Sequence, residues 1–286
     1  MASRAGVGGF GPRLQHAVEE RGRLCVGIDP HRFLLEAWGL PDTAAGAGAF
    51  GLAVVEAAAG RAGIVKPQVA FFERFGSAGY IALEGVLAAA RDAGLLVIGD
   101  AKRGEIGTSM EGYAEAWLTP GSPLEVDALT VNPYLGFGSL QPALELAEQH
   151  GKGVFVLTAT SNPEGRDVQL AEDRAGLTVA ASMLDEIDHW NARHHPGATG
   201  SIGAVIGATL RLEEFGLTEV PPTTTLPILA PGFGHQGAAV ADLGSIYGDL
   251  APGVIVSESR SILAAGPSGI ADAVERSVAA VRSARG

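Results

Sequence analysis

The segment IGDAKRGEIGTSM, residues 98–110, sets Asp100, Lys102 and Glu105 close together at the end of an apolar run. Two acids and a base at the mouth of a hydrophobic strand suit electrostatic and proton-transfer chemistry. Residues two apart on a strand share a side, so Asp100 and Lys102 are expected to meet. An opposite charge nearby favours the ionised form of each. At ~4 Å and an effective dielectric of about 20 the attraction is about 4 kcal/mol, enough to fix protonation and position. Glu105 follows Gly104 in the loop. The sequence leaves three places open for it: its own site, a neighbouring subunit's site, or an ion pair with Arg103.

Other strand-like runs also end in groups with chemistry: Asp29, Lys66, Asn132, Ser161, the stretch Gly232–Gln236, and Arg260. A single such residue reads equally well as a cap or loop residue. Charges of alternating sign at the ends of successive strands read as one site. PGFGHQG (231–237) offers backbone N–H groups at Gly232 and Gly234 beside Gln236, and SESRSI (257–262) sets Ser259 and Arg260 at a helix start. Loops after the last two strands of a barrel, and helix N-termini, are common phosphate sites. An arginine adds a two-pronged donor.

The same glycines, Gly232-x-Gly234-x-x-Gly237 with Glu258 downstream, also fit a dinucleotide fingerprint. That match comes too late in the series of strands to leave room for a Rossmann sheet. A second match, Gly6-x-Gly8-x-x-Gly11, precedes any strand. HWNARHH (189–195) resembles a metal cluster, but no acid is spaced to complete one, and it reads as a solvated helix end. Cys25 reads as a small buried hydrophobe.

The elements that must position these groups recur regularly. Strand-like runs are RLCVGID (23–29), GIVKPQ (63–68), LLVIGDAK (95–102), VDALTVN (126–132), GVFVLTAT (153–160), SIGAVIGA (201–208), LPILAPG (226–232) and GVIVSES (253–259). Ala- and Leu-rich stretches of helical spacing lie between most of them, as at 50–62, 79–94 and 140–151. Continuously apolar strands alternating with helices predict a single-domain α/β fold, a (β/α)8 TIM barrel spanning 1–286. Two segments look added: about 161–200, a helix plus a loop, and 211–225, a loop with two prolines. The N-terminus, about 1–12, is expected to be flexible.

The chain has 286 residues, 47% of them hydrophobic, with net charge −12 and a pI near 5.0. That balance makes a poor nucleic-acid binder but leaves room for one small anion at a local basic site. One cysteine, Cys25, allows neither an intrachain disulfide nor a cysteine-based zinc site. No apolar run has transmembrane length, and MASRAGVGGFGPR lacks a signal-peptide core, so the expected location is the cytoplasm, without membrane contact.

Taken in order, VGIDPH (26–31), VKPQVAFFERFG (65–76), DAKRGEIG (100–107), DALTVNPYLGFGSL (127–140), LTATSNPEG (157–165), APGFGHQG (230–237) and VSESRSI (256–262) resemble the orotidine 5′-phosphate decarboxylase family in its longer bacterial branch. The resemblance covers about 23–265. It implies removal of CO2 from orotidine 5′-phosphate to give UMP, the last step of de novo pyrimidine nucleotide synthesis, with neither cofactor nor metal. It makes Lys102 the acid that protonates C6 and sets Asp100 against the departing carboxylate. Lys66 joins the charged network, and Asp29 holds a ribose hydroxyl. Ser161 meets the pyrimidine. Gln236, Arg260 and nearby groups of Gly232, Gly234 and Ser259 grip the phosphate. It also implies a homodimer with a shared site, completed by a second acid. The family pattern there is Asp-x-Lys-x-x-Asp, and this chain has Glu105. That departure leaves open a divergent copy acting on or binding another nucleotide, and the phosphate end alone also fits a metal-dependent sugar-phosphate lyase on a related barrel.

Overall fold

The computed structural model describes residues 8–218 and 221–284. Each apolar run forms a strand: β1 (Leu24–Ile28), β2 (Ile64–Pro67), β3 (Leu96–Arg103), β4 (Ala128–Val131), β5 (Gly153–Ala159), β6 (Ile202–Ile206), β7 (Ile228–Pro231) and β8 (Val254–Glu258). They pair in parallel and in sequence order, and β8 returns to β1 through Leu24↔Val256, closing the expected (β/α)8 barrel. Parallel strands covered on both faces have no polar side to display, which is why the runs are continuously apolar.

Helix α1 (Phe10–Arg21) precedes the first strand, and the outer-layer helices are α2 (Ala44–Ala58), α3 (Gly76–Asp92), α4 (Gly107–Leu118), α5 (Gln141–His150), α6 (Val179–His194), α7 (Leu243–Tyr247) and α8 (Gly266–Ser283). Strand β6 departs from the alternation. Only a 3-10 turn, Leu212–Phe215, follows it, and the buried side chains of Leu212 and Phe215 cover the barrel where a helix would otherwise lie. In the predicted loop 211–225, residues 219 and 220 fall outside the described residues. The segment 161–200 splits in two. Residues 161–178 form a loop carrying the short helix Arg166–Gln169. The rest is α6, whose Ala180, Leu184 and Ile187 are buried, so it serves as the outer helix between β5 and β6. Of the N-terminal stretch expected to be flexible, residues 1–7 lie outside the described residues, and α1 begins at Phe10.

Inside the barrel Cys25, Ile64, Leu96, Ile98, Ala128, Phe155, Val205, Leu229 and Ile255 form the inner layer, joined by Phe10 and Leu14 of α1. Phe10 meets Phe155 edge-on, with ring centroids 6.0 Å apart. Gly153 makes this possible, since a Cβ there would lie 2.4 Å from the Phe10 ring. Arg13 pairs with Asp127 and donates to the Gly151 carbonyl at 2.8 Å. Helix α1 therefore seals the N-terminal end, and each fully buried aromatic or aliphatic side chain contributes about 1.5–3 kcal/mol. The opposite end, where the strands finish, stays open. Among the described residues no helix is long and apolar enough to cross a membrane.

Candidate active site

A cavity of about 320 Å³ occupies the C-terminal mouth of the barrel. It brings together Asp29 from the end of β1, Lys66 from β2, Asp100 and Lys102 from β3, Ser161 after β5, Gly232 and Gln236 after β7, and Ser259 and Arg260 after β8. Three predicted residues do not line it: Asn132, Glu105 and Gly234. The Gly234 N–H donates to the Ala238 carbonyl at 3.1 Å, so it closes its own loop rather than facing a ligand. That loop turns through left-handed backbone at Gly232, Gly234 and Gly237, with φ of 118°, 68° and 105°. Gly27 of β1 makes room for the Ser259 side chain after β8, because a Cβ there would fall 1.9 Å from Ser259 Oγ.

The centre of the site is a single carboxylate. Asp100 Oδ2 accepts from Lys66 Nζ at 2.7 Å and from Gln68 Nε2 at 3.0 Å. Its Oδ1 accepts from Lys102 Nζ at 2.5 Å and from Thr130 Oγ1 at 3.0 Å. A carboxylate offers about four acceptor sites, and here all are taken. Burial alone pushes the Asp100 carboxyl up, but the ammonium groups of Lys66 and Lys102 outweigh it and hold it well below the usual carboxylate range. Burial likewise pushes Lys66 down. Asp100 and then Asp29 overcome that, and Lys66 ends above the ordinary lysine range. Lys66 is closed off at 8% side-chain exposure, whereas Lys102 is 44% exposed and faces the open cavity.

The route by which Lys102 reaches Asp100 corrects the straight-strand expectation. The pairing of β3 with β4 shifts register between Gly99 and Arg103, and Lys102 has φ +48°, the one positive value outside glycine among the described residues. A left-handed residue with a Cβ costs about 1–2 kcal/mol. The strain sits on the residue whose ammonium faces the cavity.

Asp29 contributes differently. Its Oδ1 is buried and has no hydrogen-bond partner among the described residues. An unpaired buried acceptor in a cavity wall is a place for a ligand hydroxyl to donate. Gln68 and Thr130 join the site without having stood out in the sequence. Gln68 closes the run GIVKPQ, and Thr130 is the lone hydroxyl inside the buried ALTV of β4. A solitary hydroxyl in an otherwise apolar strand was the available signal.

Two further expectations change. Arg103 pairs with Glu73 at 3.0 Å and lies over the Tyr113 ring, not with Glu105. Among the described residues the Glu105 carboxylate accepts only the N–H of Ile106, at 3.0 Å. The histidines at 189–195 lie on the last turns of α6, away from the mouth, and only partly as a solvated end. His195 is held by Glu148 at 2.9 Å and by Ser201, and the His194 ring stacks on Trp190. Among the described residues no three or more His, Cys, Asp or Glu side chains are grouped to hold a metal ion.

A family model described as orotidine 5′-phosphate decarboxylase / HUMPS family matches residues 22–282. The chain belongs to that family. Orotidine 5′-phosphate decarboxylase of Corynebacterium efficiens is 52% identical over 261 residues, covering 90% of this chain and 91% of the relative. The enzyme of that name from Salinispora tropica is 51% identical over 277 residues, covering 96% and 98%. The structure of Leishmania donovani OMP decarboxylase superposes with a TM-score of 0.73 at 28% identity, covering 96% of this chain and 99% of that one. The decarboxylase family thus accounts for the closed barrel from end to end.

Proposed function

We propose that the protein converts orotidine 5′-phosphate to UMP and CO2, the closing step of pyrimidine nucleotide synthesis, with Lys102 as proton donor. The observation that carries this reading is one buried carboxylate, Asp100, gripped on both oxygens, with a second ammonium held beside it and turned to the cavity. The C6–carboxylate bond breaks, its electron pair stays on C6, and CO2 departs. That carbanion has no adjacent π system to spread its charge. A fixed ammonium at C6 supplies the needed positive charge without rearrangement. The Lys102 Nζ proton then passes to C6 and gives UMP. The Asp100 charge beside the substrate carboxylate favours loss of that group as neutral CO2.

Away from the reacting carbon, the unpaired Asp29 oxygen suits a ribose hydroxyl, Ser161 the pyrimidine, and Gln236, Ser259 and Arg260 the phosphate. Binding energy from the remote phosphate can align the charges at C6. Arg260→Ala is expected to raise KM by about 10- to 100-fold, the loss of a charge-assisted hydrogen bond, with a smaller fall in kcat; steady-state kinetics check it. With all four acceptor sites of Asp100 occupied, the mouth offers a poor seat for a divalent ion, which disfavours the metal-dependent lyase.

Glu105 fits a shared site. It lies outside its own chain's cavity and beside Ile106, which is 61% exposed; Tyr134 and Leu135 of the neighbouring loop are also exposed. Large exposed apolar groups on adjacent loops suit a second copy of this chain. Each of Lys102→Ala and Glu105→Gln is expected to be nearly inactive alone. Mixing the two after dissociation is expected to restore turnover, because one site of each hybrid dimer carries both native residues. No recovery in dimers verified as hybrid would sink the shared site. The main test is the fall in ultraviolet absorbance as the purified protein consumes orotidine 5′-phosphate, with EDTA present and absent. UMP binding by calorimetry without CO2 release would favour a non-catalytic nucleotide binder. Loss of turnover in EDTA would favour the metal-dependent lyase.

A further inference from the structure

We infer that Thr130 is a positioning residue for the decarboxylation, holding the Lys102 main chain and the Lys102 counter-ion together through one hydroxyl. The inference rests on the decarboxylase reading above. Thr130 is buried in β4, with 1% exposure, beneath the cavity. The Lys102 N–H donates to Thr130 Oγ1 at 3.0 Å. The same oxygen lies 3.0 Å from Asp100 Oδ1 and 3.5 Å from the Gly99 carbonyl. A hydroxyl has one hydrogen and two lone pairs. With Lys102 N–H on a lone pair, the hydrogen is directed at the nearer and charged acceptor, Asp100. One atom therefore ties down both ends of the Lys102–Asp100 pair.

The tie matters because of where β3 is irregular. The register shift frees Lys102 N–H from the regular ladder, and the residue is held in left-handed backbone. Such strain persists only where the surroundings over-determine it. Thr130 supplies the cross-strand partner at that point. Without its hydroxyl, the Lys102 backbone can relax toward a regular strand and carry the ammonium off the reacting carbon. The phosphate and base contacts lie on other loops, so substrate grip does not depend on it.

Valine keeps the shape of threonine and removes the hydroxyl; serine keeps the hydroxyl and removes the methyl. Thr130→Val is expected to lower kcat by about 10- to 100-fold, the scale of a misplacement near 1 Å. UMP affinity by calorimetry is expected to stay within about threefold, because the change strikes the transition state rather than ground-state binding. Thr130→Ser is expected to recover kcat to within about fivefold of wild type. A role in packing alone predicts the reverse order, with valine active and serine impaired. Thr130→Val turning over within about twofold of wild type, or Thr130→Ser as impaired as valine, overturns the inference. Wild-type protein measured alongside separates the two levels: its inactivity overturns the decarboxylase reading and this role with it, while its activity leaves the variants to judge Thr130 alone. If Thr130→Val does not fold, Thr130→Ala against Thr130→Ser carries the same comparison.

Discussion

Lys102→Ala is expected to lose turnover by on the order of 10⁴-fold or more while the protein still folds. In the proposed mechanism two contributions vanish together: the fixed positive charge at C6, typically about 10²–10³ for one preorganised donor, and the general acid, about 10²–10⁴. The fold should survive because the Lys102 side chain is 44% exposed and its removal leaves Asp100 still bound by Lys66, Gln68 and Thr130. A partly exposed ion pair contributes about 1 kcal/mol or less. Kinetics with orotidine 5′-phosphate and a thermal melt test both halves. A variant that keeps turnover within about tenfold of wild type would end the proposed role of the ammonium.

Asp100→Asn is expected to be costly for both stability and rate. Removing one member of a buried pair leaves the other without its compensating charge, a loss of about 3–5 kcal/mol. That corresponds to a fall in Tm of roughly 5–15 °C for a domain of this size. The pH dependence gives a sharper signature. In the wild type Asp100 is held below its unfolded value, so its contribution is complete above the ordinary carboxylate range and lost only as pH falls through the lowered value. Lys66 is held above its unfolded value, so its contribution is complete below the ordinary lysine range and lost as pH rises through the raised one. Between those limits the pair adds a constant amount. In Asp100→Asn, Lys66 keeps only the more distant Asp29, and burial pushes it down. The unfolded chain then binds more protons than the folded one, and stability rises with pH across the neutral and mildly alkaline range. Urea melts of the variant from pH 6 to 9 would reveal the slope; a flat profile would mean that Lys66 keeps its charge without Asp100.

The barrel was legible because both faces of every strand are buried, which leaves long apolar runs that end at the mouth. Reading the polar residue at the end of each run recovered Asp29, Lys66, Asp100, Lys102, Ser161 and Arg260 as one cluster. What the sequence hid depends on contacts distant along the chain. Arg103 looked like a partner for Glu105, two residues away, but the fold brings Glu73 to it. The left-handed backbone of Lys102 has no local signature, since the residue is neither Gly nor Asn; the β3–β4 register sets it. Gly234 looked available to an anion, yet its N–H is spent closing its own turn. Helix α6 looked like an insertion because the loop before it, about 161–178, stretches the usual strand-to-helix spacing. The proposed sharing of Glu105 with a second copy could not be read from one chain, because it depends on a contact between chains.

Cys25 lies in the inner layer, sealed below by α1 and above by the charged floor. Burial pushes its thiol up to about 12. Alkylating reagents attack the thiolate, so this sulfur is silent while the staves of the barrel stay joined. Its labelling rate consequently counts openings of the entire enclosure, and motions of the loops at the rim leave that clock untouched.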